Sequence, residues 1–203
     1  MISDGQNRIY KQYSEPEIIE KIKAGDTKIF EALFGEYYYN LCRFTAGLIK
    51  SSSAAEDIVQ DIFVKVWENR TKLSSDESLK AYLYRASKNR ALNYLKHLKI
   101  AGNWAEASRE NIAQNLPDPE KELLKKELFS SVNDAVKKLP EKCRTIFILQ
   151  RKEGLTYKEI SEVLNISINT VETQMGRALK KMRKIMFPYL SSLLIIISTA
   201  IIS

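Results

Sequence analysis

Apolar residues recur at three- and four-residue intervals along most of the chain, a period that predicts helices nearly from end to end. Ser14 and Glu17 bracket Pro16 as a capping box and open a first helix, EIIEKIKAG, which Gly25 closes. Asp26 caps the next, KIFEALFGEYYYNLCRFTAGLIK, whose Phe30, Leu33, Phe34, Tyr37, Leu41 and Phe44 fall at helical spacing and are expected in the core. A further capping box, Ser53 to Glu56, is expected to open a third helix with Ile58, Val59, Ile62, Phe63, Val66 and Trp67 on its apolar face. The polar run NRTKLSSDES breaks the pattern before a long helix from about Glu77 to Leu98. Periodicity then dissolves from Ile100 to Pro119, which reads as a linker. A helix over Glu120 to Lys138 follows and is broken at Leu139-Pro140. The next begins at Pro140, carries Ile146, Phe147 and Leu149, and is closed by Gly154.

The stretch Thr156 to Met182 predicts two short helices and a tight turn. Thr156 with Glu159 is a capping box, and Ile160, Val163 and Leu164 form the first helix's apolar face. Asn165 interrupts the pattern and suits a left-handed turn residue; Ser167 is positioned to cap the second helix. At 100° per residue Val171, Met175, Ala178, Leu179 and Met182 share one side of that helix. Thr170, Thr173, Gln174, Arg177, Lys180, Lys181 and Lys184 share the other. A helix apolar behind and basic in front fits a DNA major groove, so the stretch reads as a helix-turn-helix. Glu172 is the only carboxylate from Ile168 to Met186.

Two further faces stand out. On the third helix Asp57, Gln60, Asp61, Val64 and Glu68 gather opposite the apolar stripe; this is either a solvated face with favourable acids near a helix N-terminus or a docking surface. Between Glu77 and Glu106 there is no acid, while Lys80, Arg85, Lys88, Arg90, Lys96 and Lys99 interleave with Tyr82, Tyr84 and Tyr94. Cations with aromatics suit a strand whose bases are exposed, although some of these tyrosines must share the core with Leu83, Ala86, Leu92 and Leu95.

Composition narrows the classes. The 203 residues carry a net charge of +7, compatible with a polyanionic partner, and only 7 Gly and 5 Pro. Cys42 and Cys143, far apart and outside any CxxC, read as reduced, core-packed thiols. His97 is the only histidine, so no His-based triad or multi-His metal site can be assembled, and no phosphate-cradling glycine motif is present. No catalytic residue, metal ligand or cofactor is expected. MISDGQNRIYKQ has no apolar h-region, so a cytoplasmic location is expected. The tail after Lys184, IMFPYLSSLLIIISTAIIS, is uncharged; Pro188 shortens its usable helical length, and packing on its own domain or on a partner is expected rather than membrane anchoring.

Together, AEDIVQDIFVKVWEN followed by AYLYRASKNRALNYL, and LPEKCRTIFILQRKEGLTYKEISEVLNISINTVETQMGRALKKM in the second half, resemble regions 2 and 4 of an extracytoplasmic-function (ECF) sigma factor of bacterial RNA polymerase. The tail and the acid-free stretch look most like the Bacteroides-type subgroup. The resemblance implies that Asp57, Gln60 and Asp61 dock on the clamp helices of the polymerase β′ subunit. It implies that the loop Leu73, Ser74, Ser75 and Asp76 captures a flipped base of the minus-ten element, with Arg85 and Lys88 on phosphates and Asn89 and Asn93 beside them. The minus-thirty-five element would be read by the recognition helix through Thr173, Gln174 and Arg177, with Thr170, Lys180 and Lys181 on the same face. The implied partners are core polymerase (β′ clamp helices and β flap), promoter DNA and a membrane-bound anti-sigma factor. Gln174 stands where the family often carries a basic residue, and Asn165 where it often carries glycine.

The expected architecture is all-α, with two small helical domains joined by a flexible linker. Residues 1–98 form the region 2 domain, 99–119 the linker, 120–186 the region 4 domain, and 187–203 the apolar tail. The alternative is a stand-alone helix-turn-helix regulator with a helical interaction domain, which would need neither the acidic face nor the basic-aromatic helix.

Overall fold

The computed structural model describes residues 12–75, 78–100 and 132–202, with side chains to residue 187. Most of the expected linker, the first part of the expected Glu120–Lys138 helix and the side chains of the tail lie outside the described residues. All regular structure among the described residues is helical, as the 3.6-residue period predicts. The chain separates into two compact units.

The first unit begins with α1 (Glu15–Lys23) and α2 (Thr27–Ile49). The Ser14 capping box is formed, the backbone N–H of Ser14 donating to Glu17 Oε2 at 2.7 Å. Gly25, at φ 86°, turns the chain out of α1 in a conformation that favours glycine. Asp26 Oδ1 accepts from the N–H groups of Lys28 and Ile29 at 3.0 and 3.1 Å and starts α2.

Helix α3 (Ser52–Glu68) starts earlier than the capping box at Ser53 predicts. Lys50 ends α2 in the left-handed region, which leaves Ser51 extended, and Ser51 Oγ accepts from the N–H of Ala54. Ser53 is already inside the helix, where it cannot cap. After a 3₁₀ turn over Arg70–Lys72, α4 (Leu79–Ile100) begins two residues later than expected. Its first turn is tied from a distance: Glu15 of α1 accepts from the N–H of Leu79 at 2.7 Å. Helices α2, α3 and α4 pack on one another around Leu33, Leu41, Phe44, Val59, Ile62, Phe63, Leu83 and Tyr84.

The expected core is right for Leu33, Leu41 and Phe44, but Phe30, Phe34 and Tyr37 are only half-buried. A 23-residue helix offers more apolar residues than its neighbours α1, α3 and α4 cover, so one flank reaches the surface. Cys42 is likewise half-buried rather than core-packed; both cysteines are free thiols and Cys143 is buried.

In the second unit residues 132–137 are helical, and Arg144 donates to the carbonyls of Lys137 and Leu139, closing the break before Pro140. Helix α5 (Glu141–Arg151) follows, with Gly154 at φ 69° beyond its end. Then come α6 (Tyr157–Leu164) and α7 (Ile168–Ile202). Helix α7 packs against α5, and Leu139, Cys143, Ile146, Leu149, Ile160, Val163, Val171, Met175 and Ala178 are buried.

Helix α7 does not stop with the recognition stretch. It continues through Pro188 to Ile202 as one 35-residue helix, so Pro188 does not break it. A proline removes a single N–H from the ladder, and here the chain stays helical on both sides of that gap. Among the described residues no helix is long and apolar enough to cross a membrane.

Candidate polymerase and DNA interfaces

The apolar stripe of α3 seats Val59, Ile62, Phe63 and Val66 in the core, and the helical period therefore turns Asp57, Gln60, Asp61, Val64 and Glu68 to solvent. The face is not a plain row of acids. Gln60 Nε2 donates to Tyr38 Oη at 3.3 Å, and Arg90 of α4 pairs with Asp61 at 2.9 Å. Val64, 55% exposed, opens onto an apolar groove of about 650 Å³ lined by Phe30, Phe34, Phe63 and Trp67. The rings hold one another: Phe34 and Phe63 meet edge-on at 4.8 Å, and Phe30 lies 4.8 Å from Trp67. Sequence reasoning placed these rings in the core; the signal it passed over is an apolar Val64 among acids.

At the end of α3 the 3₁₀ turn and the residues after it form a cleft of about 260 Å³, lined by Asn69, Lys72, Leu73, Ser74, Leu79 and Tyr82. The turn is braced by Arg70, whose guanidinium lies over the Trp67 ring and donates to the Trp67 carbonyl at 2.9 Å. Leu73 and Ser74 thus line the cleft, Ser75 is exposed but not among its lining residues, and Asp76 lies outside the described residues. Of the interleaved tyrosines only Tyr82 lines the cleft, with the Arg85 guanidinium 6.0 Å from its ring. Tyr84 is fully buried edge-on to Phe44, and Tyr94 packs on Ala46, Ile49, Ala55 and Ala91. Further along α4, Arg85 and Lys88 are half-buried, whereas Asn89 and Asn93 are exposed.

The helix-turn-helix forms as its local chemistry dictates. Thr156 and Glu159 close a reciprocal cap, the Thr156 N–H donating to Glu159 Oε2 at 2.7 Å and the Glu159 N–H to Thr156 Oγ1 at 3.2 Å. Asn165 takes φ 54°, and Ser167 Oγ accepts from the N–H of Thr170 at 3.1 Å. Val171, Met175 and Ala178 are buried as expected, but Leu179, at 37%, is on the exposed side, 100° round the helix from Ala178. Thr170, Thr173, Arg177, Lys180 and Lys181 are exposed together. The Thr170 hydroxyl contacts Ser167 Oγ at 2.8 Å and the Thr173 hydroxyl donates to the Asn169 carbonyl at 2.9 Å, so both engage their own helix end. Gln174 differs from its neighbours: it is half-buried, and its Oε1 accepts from the Cys143 thiol at 3.1 Å.

No cluster of three or more His, Cys, Asp or Glu among the described residues could hold a metal, and His97 is an exposed residue in the last turn of α4.

The family profile Sigma-70 region 2 matches residues 33–99, and Sigma-70, region 4 matches residues 130–182. An ECF RNA polymerase sigma-E factor of Haemophilus influenzae is 30% identical over 83% of this chain and 93% of its own. The RNA polymerase sigma-H factor of Pseudomonas aeruginosa is 25% identical over 88% of this chain and 97% of its own. In fold, the chain is similar to the sigma factor RpoE of Bartonella quintana, solved with the anti-sigma factor NepR, at TM-score 0.60 and 21% identity over 78% of this chain and 97% of that one. The acidic α3, the cleft before α4 and the helix-turn-helix therefore belong to a member of the ECF family of RNA polymerase sigma factors.

Proposed function

We propose that this sigma factor carries core polymerase to its promoters through three separate surfaces and helps open the start-proximal DNA without performing chemistry itself. Asp57, Gln60 and Asp61 are exposed on a rigid helix and present an acidic patch to the basic clamp helices of the β′ subunit, with the β flap engaged by the second unit. The cleft lined by Leu73, Ser74 and Tyr82 is of a size to take one unstacked base, with Arg85 and Lys88 on flanking phosphates and Asn89 and Asn93 on the exposed side of the same helix. Thr170, Thr173, Gln174, Arg177, Lys180 and Lys181 form the reading face for the upstream element. The domain division at residues 98, 119 and 186 follows this assignment: region 2, linker, region 4 and tail.

The observation that carries the reading is the conjunction, within one unit, of an exposed acidic helix and an open cleft at that helix's end. A regulator that only occupies duplex DNA needs neither. The Bartonella sigma factor was solved with an anti-sigma factor, which supports an anti-sigma factor as a partner here; we infer a membrane-bound one, with the sigma factor acting in the cytoplasm. The apolar tail and the acid-free stretch support membership of the Bacteroides-type subgroup. Run-off transcription with purified core polymerase, combined with permanganate probing of unpaired thymines, tests the reading. Promoter-dependent transcripts with reactive thymines around the minus-ten element are expected. Tight duplex binding with no effect on polymerase would favour the stand-alone regulator.

A further inference from the structure

Five of the six side chains on the reading face of α7 are exposed; Gln174 alone is half-buried. Its oxygen lies 3.1 Å from the sulfur of Cys143, on α5. That sulfur belongs to the core: Cys143 is 3% exposed and packs with Leu139 and Ala178, with Phe147 and Met182 alongside. An acceptor at contact distance from a buried thiol points into the domain, so the acceptor half of the amide is turned away from any approaching duplex. The amide nitrogen, which has no hydrogen-bond partner among the described residues, keeps both its N–H donors for an outside group.

The two halves of a glutamine amide read different bases. Pairing with adenine uses both, the oxygen accepting from N6 while the nitrogen donates to N7; guanine offers two acceptors, N7 and O6, and needs only donors. We propose that Cys143 is a positioning residue that makes Gln174 a donor-only reader, so that the base pair facing it is selected as guanine over adenine. The inference rests on the assignment of α7 to promoter reading and adds to it the specificity of one position.

The test uses holoenzyme assembled from core polymerase and the full chain, selected on promoters randomised through the upstream element. The wild type is expected to enrich guanine at one pair, and Gln174→Ala to flatten the preference at that pair. Cys143→Ala frees the oxygen and should move the guanine-to-adenine ratio there about fivefold towards adenine, the scale of one lost discriminating contact. Cys143→Ser keeps a donor and should stay within about twofold of the wild type. Gln174→Lys, which leaves the core intact, should retain guanine. If Gln174→Ala flattens the preference but Cys143→Ala leaves the ratio unchanged, the positioning role fails while base reading by Gln174 stands. A library profile indifferent to Gln174→Ala removes both, and wild-type selection of adenine at that pair overturns the proposal even if every variant folds.

Discussion

Arg90 of α4 reaches back to Asp61 of α3, its guanidinium 2.9 Å from the carboxylate, so one member of the acidic face is already engaged by the domain that presents it. The Asp61 side chain is nonetheless 67% exposed, and an exposed pair of this kind is worth only about 0.2–1 kcal/mol. The contact orients Asp61 without neutralising the face.

Reversing both charges, Asp57→Lys with Asp61→Lys, should therefore leave a folded chain. Its loss in a urea melt should be about 0.2–1 kcal/mol, from the broken pair alone, since neither acid lies in the first turn of α3. The variant should no longer co-purify with core polymerase. Arg90→Ala, which frees Asp61, should keep polymerase binding. A charge-reversed chain that still drives run-off transcription would remove the docking role from this face.

Arg177 has a planar fork able to bind a guanine edge at two points. Arg177→Ala should cost about 1–3 kcal/mol at the upstream element and relax selectivity there. Lys180→Ala should weaken all sequences alike and flatten the salt dependence. Uniform loss from both substitutions across a promoter library would show that Arg177 holds phosphate.

Asn165 isolates a backbone effect, because it is exposed and sits at φ 54°. Asn165→Gly should leave the melting temperature unchanged or slightly raised. Asn165→Val should lose about 1–2 kcal/mol, the penalty of a left-handed residue with a branched side chain. Equal stability of the two would mean that the turn rearranges.

Burial pushes the Cys42 thiol up to about 11, the neighbouring Tyr38 hydroxyl opposing and Glu56 adding to the rise. The folded state thus prefers the neutral thiol. Its contribution to stability is complete below the unfolded value of roughly 8.5 and is lost as pH climbs towards the folded one. Alkylation of native Cys42 should stay slow through pH 9 and accelerate only above it, whereas the urea-unfolded chain should react readily near pH 8.5. Rapid native labelling at pH 8 would show that this part of α2 opens.

Local chemistry was readable from the sequence. The caps at Ser14, Asp26, Thr156 and Ser167, the left-handed Asn165 and the buried stripe of Val171, Met175 and Ala178 each depend on residues within a few positions of one another. What escaped depends on partners far along the chain. Glu15 capping Leu79, Arg90 meeting Asp61 and Cys143 holding Gln174 join residues that no periodicity connects. The apolar groove beside Val64 was missed for the same reason: whether Phe30 and Phe34 are covered depends on how much of α2 its neighbours can reach. Ser53 misled because two overlapping serine caps were available, and the left-handed Lys50 selected Ser51.

At the root of the tail Phe187 is 68% exposed and so takes no place in the second unit's core. Removing Tyr189 to Ser203 should therefore leave promoter binding and transcription by the remaining chain intact. Loss of a cooperative thermal transition in the truncated chain would show instead that the tail completes the second unit's core.

Because the reading face and the tail are successive parts of α7, they share an axis and a phase. At a rise of 1.5 Å and a turn of about 100° per residue, the 35 residues make an arm of roughly 50 Å in which each position has a fixed azimuth relative to Arg177. A partner gripping the far end would grip a crank: rotating the tail rotates the reading head by the same angle, and a one-residue insertion near Lys184 would swing one against the other by more than a quarter of a circle. The helix-turn-helix is thereby geared to whatever the tail touches.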